Sequence, residues 1–270
     1  MGRTVSLPKR PLRIISTVPS QTELLFHLGL EKEVVGITWF CIHPSDHFRA
    51  KTKIGGTKKL NFEQIALLTP DLIIANKEEN DRAQLEELAK LYPVWISDIE
   101  NLDDALMMIE MVGEITETGE QAHELCGSII DAFAQLPAAE YNRRAAYLIW
   151  RNPWMGAGNS TFIHNMLDLC GYNNVLHSFA TATYNPETDS MRYPRVELEE
   201  LKELAPEVVL LSSEPFPFKE KHIEEIKQVL PLAEIKLVDG EMFSWYGSRL
   251  LNSPDYFASL MQSQPALAMA

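Results

Sequence analysis

Apolar and polar positions along the chain follow two periods. Short, β-branched apolar runs at Leu12–Ser16, Val34–Thr38, Leu72–Ala75, Val94–Ser97, Ala146–Trp150, Val208–Ser212 and Ile235–Val238 read as buried strands. Between most of them the apolar residues recur at three and four spacing. That predicts helices over Gln21–Leu28, Phe62–Leu68, Arg82–Leu91, Phe162–Leu169, Leu198–Leu204 and Ile223–Val229. Strands alternating with helices over short connections imply an α/β fold of parallel sheets covered by helices.

The pattern also repeats. Residues 62–75 read FEQIALLTPDLIIA and residues 198–211 read LEELKELAPEVVLL. Each has an acid at its second position (Glu63, Glu199), a helical apolar face, then a proline, an acid and a buried strand. Pro70 and Pro206 stop the helices because the ring cannot continue them. A weaker echo joins RIISTVPSQTELLFHLGL to YLIWRNPWMGAGNSTFIHNMLDLCG, each a strand, loop and helix ending at a glycine suited to a left-handed cap, Gly29 or Gly171. Between the halves, residues 101–136 carry helical periodicity and no strand pattern, with a break near Thr116–Gly119. The expected organisation is an N-terminal α/β lobe over 1–115, a connecting backbone helix over 116–137 and a C-terminal α/β lobe over 138–270. A helical connector, unlike a Gly/Ser-rich one, predicts limited motion between the lobes.

Composition narrows the function. The 270 residues carry 24 basic against 38 acidic side chains, a net charge of −14, which excludes a duplex-coating protein. No apolar stretch is long enough to span a membrane. The three cysteines, Cys41, Cys126 and Cys170, form no CxxC pair and no disulfide framework. Reduced thiols fit the cytosol, and a cysteine-poor periplasmic chain reads the same way. No apolar segment of the signal-peptide kind precedes the first strand, so the chain as given reads as cytoplasmic, or as periplasmic or cell-surface with a signal removed.

Taken in order, RIISTVPSQTELLFHLGL, VVGITWFCIHP, KIGGTKKLNFEQIALLTPDLIIA, RNPWMGAGNSTFIHNMLDLCG, YPRVELEELKELAPEVVLL and YGSRLL resemble the helical-backbone substrate-binding proteins of ABC importers over nearly the whole chain. Each motif alone is weak; their order and spacing carry the resemblance, which is nearest to the cobalamin-binding type. It implies two Rossmann-like lobes joined by one helix. It also implies capture of cobalamin, haem or a ferric siderophore in the groove between them, and docking of Glu63 and Glu199 onto arginines of the importer's membrane subunits. Acids in a first helical turn are also favoured by the helix dipole alone. One departure from the cobalamin type is Thr57, which stands near the position of a tryptophan and leaves other tetrapyrroles and anionic chelates open.

Loops at the carboxyl ends of the strands should line such a groove. They hold Trp39, Phe40 and His43 after the second strand, Asn152, Trp154 and Met155 after the fifth, and Glu241, Phe243, Trp245 and Tyr246 after the last, with Arg249 beyond. Apolar walls with a few aimed polar groups suit a large flat ligand. The resemblance carries Phe40, Trp154, Met155 and Phe243 over as ring contacts. Arg249, Glu241 and Asn152 are expected to orient polar edges.

Arg49, Lys51, Lys53, Lys58 and Lys59 form a basic cluster that fits a solvated loop better than an anion site. His43 and His47 have metal-ligand spacing, but Pro44 interrupts any shared helix, so no metal site is expected. The turn Gly156–Thr161 lacks the third glycine of a dinucleotide fingerprint. No nucleophile elbow, P-loop or Cys–His pattern is present, so catalysis has no support and no intrinsic cofactor is expected. The reading is a monomeric, non-enzymatic binding protein for a small-molecule metal chelate, working with an ABC importer. The rival is a cytosolic protein handling corrinoids or metal chelates on the same fold without a transporter. The last residues, 263–270, are expected to fray.

Overall fold

The computed structural model describes residues 7–138, 142–179 and 191–262; the expected fraying of 263–270 lies outside them. In chain order the first elements are β1 (Ile14–Ser16), α1 (Pro19–His27), β2 (Val34–Ile37), α2 (Ser45–Ala50), β3 (Thr52–Lys53), β4 (Gly55–Gly56), β5 (Lys59–Leu60), α3 (Phe62–Leu68), β6 (Leu72–Asn76), α4 (Arg82–Leu88) and β7 (Val94–Ser97). Two helices follow, α5 (Leu102–Thr116) and α6 (Gly119–Ala134). The remainder is β8 (Arg143–Trp150), β9 (Met155–Gly156), α7 (Phe162–Leu169), β10 (Tyr172–Asn174), α8 (Leu198–Glu203), β11 (Val208–Ser212), α9 (Glu220–Lys227), β12 (Glu234–Val238), α10 (Glu241–Ser244), a 3-10 turn at Ser248–Leu251 and α11 (Ser253–Gln262).

The chain forms two compact units, each an α/β lobe. The first comprises the chain up to Ile99, Asp103–Asp131 and Trp245–Leu251; the second comprises Glu100–Leu102, Ala132–Ser244 and the chain from Asn252 on. The first lobe's sheet runs β3-β2-β1-β6-β7, all parallel. The second runs β10-β8-β11-β12, also parallel, with β9 folded back antiparallel on β8. In each sheet the order reverses once, between β1 and β6 and between β8 and β11. A crevice opens at such a point because successive helices leave for opposite faces. Most of α6 belongs to the first lobe, and the chain returns to that lobe at Trp245–Leu251.

The sequence echo is a structural repeat down to single hydrogen bonds. Asp71 receives the N–H groups of Leu12 and Arg13 at 2.9 and 2.8 Å, and Glu207 receives that of Arg144 at 2.9 Å. Arg13 donates to the Leu68 carbonyl at the end of α3, and Arg144 to the Leu204 carbonyl after α8. Thr69 and Ala205, each just before its proline, both adopt φ of 44°. The acid after the proline therefore pins the strand start, while the arginine at that start satisfies an orphan carbonyl of the helix end. Gly29 and Gly171 cap α1 and α7 at φ of 79° and 76°, as their type allows.

Arg143 at the start of β8 is buried and binds Glu234 of β12 at 2.7 Å, while Lys236 holds the other carboxylate oxygen at 3.0 Å. Half-burial alone would raise the Glu234 pKa; bonds from Arg143 and Lys236 outweigh it and hold the carboxyl below its ordinary 4.5. A depressed folded-state pKa contributes stability above the unfolded value and loses it as pH falls through the folded one. The second lobe should therefore weaken below about pH 4.5, and Glu234→Gln should remove part of that decline. Urea midpoints at pH 6 and at pH 3.5 check it; parallel declines in both proteins would refute the assignment.

Candidate functional site

Each lobe gathers aromatic and charged side chains at the carboxyl ends of its strands. In the first lobe the loop after β2 is anchored from below. Cys41 is fully buried, with its sulfur 3.1 Å from the hydroxyls of both Thr22 and Thr38. Burial pushes that thiol up, and Cys126 and Cys170 are pushed up to about 12 by burial, so none of the three is a ready nucleophile. With Cys41 fixed inward, Trp39 and Phe40 are each 59% exposed. Two aromatic rings in water on an anchored loop form an apolar platform without a core role.

Behind that loop stands an array that sequence spacing does not reveal. His43 packs its edge on Trp245 with ring centroids 5.6 Å apart. The Arg249 guanidinium lies 4.9 Å over the Trp245 ring and makes two hydrogen bonds to Glu23 of α1, at 3.0 and 2.7 Å. Trp245 and Tyr246 are buried. They begin the segment that returns to this lobe, which the 3-10 turn seats on α1, with Gly247 at φ of 119° close to Ser20 and Leu24. His47 goes elsewhere, stacking on Phe26 at 4.5 Å, so the two histidines share no ligand. Among the described residues no group of three His, Cys, Asp or Glu side chains is placed to hold a metal ion.

The point of strand reversal in this sheet is filled by a buried polar network. Thr17 donates to Asn80 at 2.9 Å, Asn76 and Gln21 both donate to Ser97, and Asn80 reaches the Thr57 carbonyl at 3.0 Å. The network ties the β4–β5 ribbon to the sheet and sets where Trp39 stands, since Trp39 N–H donates to the Gly55 carbonyl at 3.0 Å. Trp39 lines a groove of about 580 Å³ with Gly55, Gly56, Lys59, Leu60, Asn61, Phe62 and Glu63. The basic cluster is largely spent: Lys51, Lys53 and Lys58 donate to the Glu31, Phe48 and Glu78 carbonyls.

In the second lobe Trp154 stacks on Phe218, centroids 5.9 Å apart and planes within 4°. Trp150 meets Phe216 at 5.8 Å, and His222 sets its ring edge-on to Phe216 and Phe218 at 5.4 Å each. His222 Nδ1 accepts the Lys219 N–H at 2.9 Å, which leaves its proton on Nε2. Burial, then the charges of Lys221 and Arg151, hold its pKa below the ordinary imidazole value. Arg151 holds Glu225 at 2.9 and 2.8 Å and lies 5.6 Å from the Trp154 ring. Asn152 is exposed at φ of 65°, Met155 is half-buried in β9, and Glu241 is half-buried at the start of α10.

One expected contact is corrected. Phe243 has no exposed surface; it packs between Tyr147 at 5.1 Å and Phe257 at 4.7 Å, because α10 turns its aromatic into the second core instead of out of the loop. Trp154, Trp245 and Tyr246 are almost as enclosed. The Gly156–Thr161 turn is closed as an anion site: Gly156 and Gly158 N–H donate to the Pro194 and Arg192 carbonyls. Sequence reading missed Glu23, Asn80, Phe216 and Phe218. Glu23 had a signal, the one acid in the stretch PSQTELLFH that forms α1. The phenylalanines follow β11, where the rule about strand ends applies equally.

Two parallel sheets, each with aromatic side chains in loops that follow its strands, make a two-lobed α/β fold. The chain belongs to the periplasmic binding protein family, whose sequence profile matches residues 14–236. It is 23% identical over 248 residues to the vitamin B12-binding protein of Pectobacterium carotovorum, covering 89% of this chain and 85% of that one. Its fold is shared with the periplasmic vitamin B12 binding protein BtuF of Vibrio cholerae, at a TM-score of 0.75, 22% identity and coverage of 95% and 100%. It is shared too with a periplasmic heme binding protein of Pseudomonas aeruginosa, at 0.74, 17% identity and coverage of 96% and 95%. Among the described residues no helix is long and apolar enough to cross a membrane.

Proposed function

We propose that the protein captures a metal-bearing ring system or chelate, with a cobalamin-like corrinoid the first candidate and haem or a ferric siderophore next. It hands this cargo to an ABC importer outside the cytoplasmic membrane, without catalysis and without a resident cofactor. The observation that carries this is the exposed Trp39–Phe40 platform beside the His43–Trp245–Arg249 array, on a chain of the periplasmic binding protein family. Broad aromatic surface with few polar groups gives affinity to large flat ligands, and the polar groups orient them. Within the second lobe, Asn152, Trp154, Met155 and Glu241 are the candidate ligand contacts, with Phe243 a support in that lobe's core. Glu63 and Glu199 are the docking carboxylates, each the second residue of its helix and exposed. Membership of relatives named for vitamin B12 supports the corrinoid over the alternatives.

The test is a melting series with cyanocobalamin, haemin and a ferric siderophore, read together with the visible absorbance of the first two. Ligand at about 100 times its Kd should stabilise the fold by about 2.7 kcal/mol. If none of the three raises the melting temperature, the proposal fails.

A further inference from the structure

Helix α1 buries Ser20, Gln21, Thr22, Leu24, Leu25 and Phe26, and Glu23 is its one carboxylate. That carboxylate meets Arg249 through two hydrogen bonds, with the side chains only 19% and 12% exposed. A guanidinium laid over an indole has the makings of an anion receptor, because its planar fork fits a carboxylate with two parallel bonds. Here a carboxylate of the chain itself already occupies the fork in that geometry. A cargo whose rim carries carboxylates must displace Glu23, leaving it desolvated and without its cation, or set its own charge beside it. A cargo rimmed by neutral amides meets neither cost, since it can bond to the outer edges of an intact pair. Like charges forced together in a partly buried site discriminate strongly between otherwise similar partners.

We propose that Glu23 sets the charge selectivity of the capture site: by holding Arg249 it excludes carboxylate-rimmed ring systems and admits neutral, amide-rimmed ones. This deepens the capture reading above and rests on it. Glu23 acts through Arg249, so the measurement is a ratio of affinities and not one affinity.

The probes are cyanocobalamin, whose ring periphery carries carboxamides, and haemin, which carries two propionates, titrated by fluorescence quenching into the whole protein. Wild type should bind cyanocobalamin at least about tenfold more tightly than haemin. Glu23→Gln, which keeps the shape and removes the charge, should tighten haemin by about tenfold and so lower the ratio of cyanocobalamin to haemin affinity. Adding Arg249→Gln to that variant should abolish the gain. Should Glu23→Gln not fold, Arg249→Gln alone decides: the stranded Glu23 carboxylate should weaken haemin by about tenfold or more. A wild type that binds cyanocobalamin, with haemin affinity unmoved in Glu23→Gln or raised in Arg249→Gln, overturns the charge inference alone. A wild type that binds neither probe overturns the capture reading and this inference with it.

Discussion

Phe243→Ala is expected to destabilise the second lobe by about 3–5 kcal/mol, the range for removing a fully enclosed aromatic ring. The ring has no exposed surface and sits among Tyr147, Tyr256 and Phe257, at centroid distances of 5.1, 6.3 and 4.7 Å. It joins α10 to α11 and to the middle of β8, so the vacated volume is bordered on several sides by elements that cannot all move inward. Tyr147 is also committed, its hydroxyl donating to Ser212 at 3.1 Å at the end of β11. Loss of the neighbouring ring therefore reaches the strand ends that carry the Phe216–Phe218 cluster. Phe243→Leu should recover more than half of the loss, because it refills most of the space. Urea unfolding followed by tryptophan fluorescence measures the stability, and a cyanocobalamin titration of the folded variant measures the rest. Cargo affinity should fall by less than about threefold at temperatures where the variant is folded, since the ring touches no solvent. Stability within about 1 kcal/mol of wild type, together with a large loss of affinity, would return Phe243 to the ligand wall.

That correction shows where sequence was legible. Strand and helix positions followed from apolar period, and β7, β11, α3 and α7 begin and end on the expected residues. These are the elements whose ends are marked by chemistry: Asn61 and Thr161 cap α3 and α7 by accepting the Gln64 and His164 N–H groups. The two lobes were legible because the proline–acid step does the same mechanical task twice, with Asp71 and Glu207 receiving strand N–H groups. What stayed hidden were short pieces without a period, namely the helices α2 and α10 and the strands β3, β4, β5, β9 and β10, and pairings of long range. Glu23 and Arg249 are 226 positions apart, and no spacing rule joins them. Loop aromatics were over-read for a related reason. An aromatic after a strand points to a crevice only if the loop leaves it there, and α10 rotates Phe243 inward within one turn while Trp39 and Phe40 stay out. The basic cluster, expected as a solvated loop, instead spans α2, β3 and β5, with three of its lysines folded back onto main-chain carbonyls.

The double substitution Glu63→Lys with Glu199→Lys is expected to cut delivery to the importer by about a hundredfold or more, with cargo affinity and melting temperature nearly unchanged. Both residues hold the same place in the structural repeat, one step into α3 and α8. Neither helix needs its acid for its own start. Asn61 caps α3, and α8 has a reciprocal capping box between Glu197 and Glu200. Glu199 is 76% exposed, with its nearest cation, Lys202, at 3.9 Å, so it is available to a basic partner. If the helix dipole were the only reason for these acids, each would be worth a few tenths of a kcal/mol to stability and nothing to transport. A docking role makes a different demand, because reversing a charge at a contact that orients two proteins adds repulsion where attraction was. The two positions lie in different lobes, so their effects on delivery should multiply: about tenfold for each single variant, more for the pair. Uptake of labelled cyanocobalamin into proteoliposomes carrying the cognate importer gives the delivery rate, and raising the salt concentration should weaken wild-type delivery in the same direction. Unaltered uptake by the double variant would leave the helix dipole as the sufficient account of both acids.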